Sequence, residues 1–525
     1  MQLTFEPARW RTTLASLCMA PIAACGGGGG SSGTTPPPVT PVVNGPAWWG
    51  FGRDAQHSAQ SAIATQDLNR IQWTTAVDLA PQYRPSGALL AHYGSPVITK
   101  HNTVIVPVKT GAAGGFRVDA RNGANGTLIW SATSDYVLPA HNWVPSYNPV
   151  LTPANRLYTP GAGGKLLVRD DADAATGTIG KAVFYGAAAY DAAPATFDAT
   201  VFINTPITSD AAGNLYFGFI VTGANPAGLS SGIARLAADG SGRWMAASVA
   251  SGDGAIVKVA TNSAPAVSPD QGTLYVAVNT AVVAGSVQAG YLLALDSSTL
   301  AVKGKVALMD PLAGTRARIS DDGTSSPTVG PDGAVFFGVL EASFGSHNGR
   351  GWLLHFDATL SSTRAPGGFG WDDTASVVPA AMLPSYTGTS TYLLMTKYNN
   401  YEGAGTGDGK NEIAVIDPGA TQADPISGQT IMREVLKIAG PTFESGSSGP
   451  VKEWCINTAA VDPLTKSVLV NSEDGYLYRW HLPSNSFTQR IQLTSGIAES
   501  YTPTAIGADG AVYAVNNAVL FSIGK

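Results

Sequence analysis

Ser325-Ser326-Pro327-Thr328-Val329-Gly330-Pro331-Asp332-Gly333-Ala334-Val335-Phe336-Phe337-Gly338-Val339 decides the fold of this chain. A proline among small polar residues leads into a short apolar step. Pro331-Asp332-Gly333 then reverses the chain, with Gly supplying the positive φ that such a turn needs. An unbroken apolar run follows, as in a strand buried on both faces. The phrase returns at Pro96, Pro149, Pro206, Pro265, Pro379 and Pro503, and at Ala459 with Ala in place of Pro. A repeat of roughly 40 to 60 residues with several short strands per unit is the signature of a propeller. The expected fold is therefore all-β: an eight-bladed β-propeller with four-stranded antiparallel blades. The copy at Pro379 departs most from the pattern, which leaves a seven-bladed ring as the alternative.

Each copy continues in the same way. After the buried strand comes a Gly-x-Leu run ending in Asp, as in Gly290 to Asp296 and Gly351 to Asp357; the copy at Gly475 ends in His481. An Asp repeated blade by blade reads as a turn cap, not as a catalytic group. The last copy stops at Phe521-Ser522-Ile523-Gly524-Lys525, one strand short. Ile71 to Val77 alternates weakly and has no blade of its own. It is expected to close the last blade as its outer strand, which removes an exposed sheet edge.

Asp119-Ala120-Arg121-Asn122-Gly123-Ala124-Asn125-Gly126-Thr127-Leu128-Ile129-Trp130 resembles the Asp-x-x-x-Gly-x-x-x-Trp end of a pyrroloquinoline-quinone (PQQ)-type propeller repeat, lengthened by a few residues. The Gly-x-Leu runs resemble the same family, over residues 47–525. For quinoprotein dehydrogenases that resemblance implies a quinone held under a vicinal Cys–Cys disulfide, with a calcium site and an Asp base. This chain has no Cys–Cys pair and no haem-attachment motif, so PQQ is not expected.

Composition narrows the classes further. The 525 residues hold 61 Gly and 34 Pro, only 13% are charged, and the net charge is −6. No Lys/Arg cluster points to nucleic acid, and no apolar run is long enough to span a bilayer as a helix. The cysteines are Cys18, Cys25 and Cys455. Arg9 and Arg11 followed by apolar Thr12 to Ala24 read as an export signal. Ile22-Ala23-Ala24-Cys25 resembles a bacterial lipobox, which assigns residues 1–24 to a signal peptide and Cys25 to lipidation. Residues 25–46, with Gly26 to Gly30 and Pro36-Pro37-Pro38, read as a tether. The propeller then occupies 47–525. The uncharged residue after Cys25 resembles lipoproteins sorted to the outer membrane. Cys455 beside Trp454 reads as a small buried hydrophobe.

Departures from the repeat mark candidate sites. His141, Asn142, Trp143 and Tyr147 lead into the second blade, where a propeller lines its central funnel. Glu453 and Trp454 lead into a later blade, and Glu499 into the next. Glu453 and Glu499 form a candidate cation pair across neighbouring blades. The longest interval carries Asn400, Glu402, Asp408, Asn411 and Glu412, an oxygen-rich set that calcium could take, though its spacing is not that of an EF-hand.

The sequence thus reads as an extracytoplasmic, membrane-tethered propeller that binds or scaffolds a protein or polymer ligand in the envelope. By fold and location its analogy is the propeller lipoprotein of the outer-membrane β-barrel assembly machine. The reading from a different class is an enzyme using the funnel, either a divergent quinoprotein or a hydrolase or lyase acting on a secreted polymer.

Overall fold

A computed structural model describes residues 45–83, 89, 91–139, 147–323, 325–343, 349–400, 405–444, 446, 448–496 and 500–525. The lipobox, the tether up to residue 44, His141, Asn142, Trp143, Glu402 and Glu499 lie outside the described residues. Eight antiparallel sheets follow one another along the chain. Blade 1 is Val97–Ile98, Thr103–Gly111, Gly114–Asn122 and Leu128–Ser134. Blades 2 to 7 span 150–182, 201–246, 256–307, 328–367, 376–439 and 460–492. In blades 3 and 4 two short strands share the innermost place. The ring therefore has eight blades, not seven.

Arg70–Ala76 is the outer strand of blade 8, antiparallel to Val519–Gly524, with Trp73 opposite Ser522. The indole of Trp73 donates to Gly123 O at 2.7 Å, which ties this closing strand to blade 1 as well. Second strands such as Val335–Val339 and Val512–Asn516 are buried along their whole length. Their apolar side chains pack into clusters that bridge neighbouring blades; one joins blades 1, 2 and 3, another joins blades 7, 8 and 1 with Trp48, Ala59 and Ile63. Burial on both faces explains why these strands read as continuous apolar runs.

The tight turns follow the expected chemistry: Gly213, Gly333 and Gly510 adopt φ of 81°, 83° and 85°. The repeated Asp residues cap turns. Asp296 accepts from Ser298 and Thr299, and Asp357 from Thr359 and Ser361. One repeat assignment shifts. The inner-strand amides of Val329 and Val377 occupy equivalent places, so the residue matching Pro327 is Ala375. Pro379 instead ends the inner strand of blade 6. Among the described residues no helix is long and apolar enough to cross a membrane.

Residues 48–66 travel once around the axis before the closing strand begins. Trp48 exchanges two backbone hydrogen bonds with Ile98 of blade 1, and Leu151 N of blade 2 donates to Trp49 O. Val267 N, Val329 N, Val377 N and Val461 N, in blades 4 to 7, donate to the carbonyls of Ala55, Gln56, Ser58 and Ala59 at 2.7 to 3.0 Å. Gln66 N reaches Gly510 O of blade 8 at 2.8 Å. Each contact falls beside the first turn of its blade. This girdle satisfies the free inner edges of the sheets at the turn end of the axis. The opposite end, where the inter-blade connections feed into the inner strands, is the mouth.

Candidate functional site at the mouth of the axis

The sequence around each inner strand starts with polar residues, and they stitch the blades together at the mouth. Ser326 N donates to Thr374 Oγ1 at 2.9 Å, Thr374 N to Asn457 O at 3.1 Å, and Thr504 N to Thr458 O at 3.2 Å. Inside this ring lies a buried polar cluster. His92, ahead of blade 1, sits with Nδ1 3.4 Å from Asn262 Nδ2, ahead of blade 4. Its ring meets Tyr501 edge-on at 5.4 Å. The Cys455 thiol donates to Glu473 Oε2 at 3.0 Å and lies 3.4 Å from the Tyr501 hydroxyl. The Lys397 ammonium stands 6.0 Å from the Tyr501 ring. Thr396 Oγ1 donates to the Asp373 carboxylate.

Charge in this cluster is unbalanced. Asp372, Asp373 and Glu473 are buried, and Glu453 half-buried, against the one buried ammonium of Lys397 among these residues. Burial pushes the Asp373 carboxyl up to about 7, held back by Thr396 and Lys397. Burial and the Glu453 charge raise Glu473 well above the carboxylate range. Burial and the same carboxylates raise the Cys455 thiol. Burial lowers His92, against the pull of Asp372 and Asp322. These are the effects of low dielectric and like charge on acids and bases.

Glu453, Cys455 and Glu473 place three ligand atoms within 4.8 Å of one another. Two carboxylates and a thiolate suit a borderline cation such as zinc better than calcium, which takes oxygen donors. The cluster can thus hold either protons or a small cation. The cation pair foreseen at Glu453 finds its described partner in Glu473; Glu499 lies outside the described residues. Cys455 is buried and free, but it sits in a polar cluster and not among hydrophobes.

The other predicted positions scatter. Trp454 is core: its backbone N donates to Asn399 Oδ1 at 2.9 Å, and its ring packs on Tyr478 and Phe487. Tyr147 is core too, stacked on Phe116 at 4.7 Å. Asn400 lies opposite Lys410, and Asn411 opposite Asn399. Side chains of successive strand residues point to opposite faces, so Asn400 and Asn411 do not converge. Asp408 faces Lys410 at 3.7 Å, and Glu412 faces Lys437 at 3.4 Å. The residue that sequence reading missed is Glu473. Lys109, Asn279, Asn399 and Glu473 hold one place in blades 1, 4, 6 and 7, five residues beyond Val104, Leu274, Leu394 and Val468. Aligning the second strands would have exposed a carboxylate at that position.

The chain matches no protein-family model and no curated protein sequence. Solved structures do match. A europium-containing methanol dehydrogenase aligns over 90% of this chain and 89% of its own, at 10% identity and a TM-score of 0.54. The quinohemoprotein alcohol dehydrogenase of Comamonas testosteroni aligns over 93% and 82%, at 12% identity and a TM-score of 0.55. The chain has the quinoprotein alcohol dehydrogenase-like propeller fold. At such identities the likeness concerns fold alone. BamB from Moraxella catarrhalis aligns at 13% identity over 87% and 99%, with a TM-score of 0.39, too distant to carry an argument.

That fold raises the question of a quinone. Pyrroloquinoline quinone is a tricarboxylic acid. Among the described residues of this cluster, buried carboxyl groups outnumber the one buried cation, so further carboxylates would crowd an already acidic site. Cys455 has no adjacent cysteine with which to form a clamp. The residues present do not fit the quinone.

Proposed function

We propose that the protein is an exported, lipid-anchored propeller that binds or scaffolds a partner in the bacterial envelope through the mouth face, without catalysis. The observation that carries this reading is the placement of exposed apolar side chains. Leu79, Tyr83, Val137, Val249, Val282, Val283, Met309, Leu312 and Phe443 lie on mouth-side connections and hairpin tips, and Val257 on the short inner strand Ile256–Val259. Leu128, Ile179, Val302 and Leu464 are the exposed large apolar residues elsewhere among the described residues. Most of the exposed large apolar side chains among the described residues thus lie at one end of the axis, the end at which a partner would cover them.

The anchor is tested by Cys25→Ser, which is expected to release the protein from membranes and abolish labelled-palmitate incorporation. Incorporation that survives the change contradicts the lipobox reading. The outer membrane is the expected destination, checked by sucrose-gradient fractionation of the envelope.

The enzyme reading rests on a separate observation: Asp373, Glu473 and Cys455 are buried acids with displaced protonation in one cluster, as at many catalytic centres. Purified protein supplied with PQQ and calcium is expected to show neither a thermal shift nor dye reduction. Either signal would revive the quinoprotein alternative.

A further inference from the structure

The girdle is unusual in how it is held. Six of its contacts run from an inner-strand N–H to a girdle carbonyl, at Ile98, Leu151, Val267, Val329, Val377 and Val461. These bonds read backbone and not side chains, as when a peptide is added to a sheet edge. The side chains of Gln56 and His57 fix the register against the blades, and Asp54 fixes the shape of the girdle itself. Asp54 accepts from Gln56 N at 3.2 Å, from Ser58 N at 2.9 Å and from the Ser58 hydroxyl. Gln56 Nε2 donates to Val267 O at 3.0 Å. His57 Nδ1 donates to Pro327 O at 2.7 Å.

The same segment carries strain. Arg53, His57 and Ala59 adopt φ of 79°, 58° and 55°, a region that side chains other than Gly rarely enter. The indole nitrogens of Trp48 and Trp49, Nε of Arg53 and Nε2 of His57 are buried without a hydrogen-bond partner. Strain and unpaired polar atoms on an element bonded through its backbone mark a segment seated at a cost. The blades themselves do not depend on it for their ladders, which are complete without residues 48–66.

We propose that the turn end of the axis is a ring-shaped binding site for an extended peptide, occupied by the chain's own residues 48–61. The girdle leaves as a unit while the blades stay folded, and a peptide of the same sequence can take its place. This site lies at the opposite end of the axis from the mouth face, so it does not depend on the function proposed there.

Hydrogen exchange on the intact full chain tests the opening. The amides of Ile98, Leu151, Val267, Val329, Val377 and Val461 are expected to exchange as one set, at least about 100-fold faster than interior amides of Thr273–Thr280 and Tyr392–Asn400. Exchange of the six only at the rate of global unfolding overturns the proposal. A second arm inserts a protease site beside the exposed Asn69 of the full chain, past the buried Leu68, and cleaves it after folding. A fluorescent peptide of residues 45–66 is expected to enter the cleaved protein and not the uncleaved one. The Asp54→Ala peptide is expected to bind at least tenfold more weakly. A cleaved protein that keeps its β-sheet spectrum yet takes up no peptide contradicts the exchangeable site. If cleavage unfolds the protein, the blades do depend on the girdle and the proposal fails.

Discussion

The two ends of the axis are closed by different means. At the turn end, a single stretch of chain passes the blades in order and meets blades 1, 2 and 4 to 8 through backbone hydrogen bonds. At the mouth, side chains from the leads into blades 1, 4, 6, 7 and 8 converge on one buried cluster. Backbone closure tolerates many side chains but depends on the few that set its register. Side-chain closure depends on every charged member, because a buried charge left uncompensated is costly. The ends therefore differ in how they respond to mutation and to pH.

The largest expected effect is at the turn end. Asp54→Ala removes the acceptor for Gln56 N, Ser58 N and the Ser58 hydroxyl. Hydrogen bonds to a charged group contribute roughly 1.5 to 3 kcal/mol each, so a loss of about 4 kcal/mol is expected by chemical denaturation. A loss below about 1 kcal/mol would mean that backbone bonds alone hold the girdle.

Next comes pH. Burial lowers His57 from 6.5 to about 4. Between those values the unfolded chain binds a proton that the folded one does not. The stabilisation is therefore complete above pH 6.5 and is lost as pH falls toward 4, roughly 3 kcal/mol in all. His57→Asn, which keeps a donor for Pro327 O, is expected to make that limb shallower, with buried His355, lowered alike to about 4, contributing the rest. The mouth behaves in the opposite sense. Asp373 is raised from 3.8 to about 7, so the folded state holds the extra proton, and stability falls as pH rises through that interval. Asp373→Asn is expected to remove that slope and leave the acid limb intact. Equal slopes in both variants would break the distinction between the ends.

Glu473→Gln sharpens the charge argument. Without added metal it is expected to lessen the fall of stability on the alkaline side, since burial and the Glu453 charge hold the Glu473 carboxyl well above the carboxylate range in the folded protein. If the trio takes zinc, micromolar zinc raises the melting temperature of the wild type and not of this variant. Smaller still is Trp73→Phe, which loses the donor to Gly123 O. A cost of about 1 kcal/mol is expected.

Much of the fold was legible because turn, proline and buried strand recur together, and each has a local physical cause. The closing strand at Arg70–Ala76 followed from a blade that ended one strand early. Ala375 was not legible, because nothing marks an alanine as the counterpart of Pro327 when Pro379 stands nearby. The girdle was invisible for a deeper reason. Its bonds use carbonyls and amides, which every residue has, so Trp48 to Ser61 shows no periodicity to detect. At the mouth, Glu453 was read from its position before a blade. Glu473 hid two residues past a buried strand, at a place where blades 1, 4 and 6 carry Lys109, Asn279 and Asn399 and others carry apolar residues.

Partner binding at the mouth face, as proposed, is tested most directly by crosslinking. A photo-crosslinking residue placed at Val283, which is 57% exposed on the mouth side, is compared in envelope membranes with one at Leu464, 59% exposed on the turn side. The account predicts a discrete adduct from Val283 and none from Leu464. Adducts from Leu464 alone, or none from either position alongside PQQ-dependent dye reduction, would contradict it.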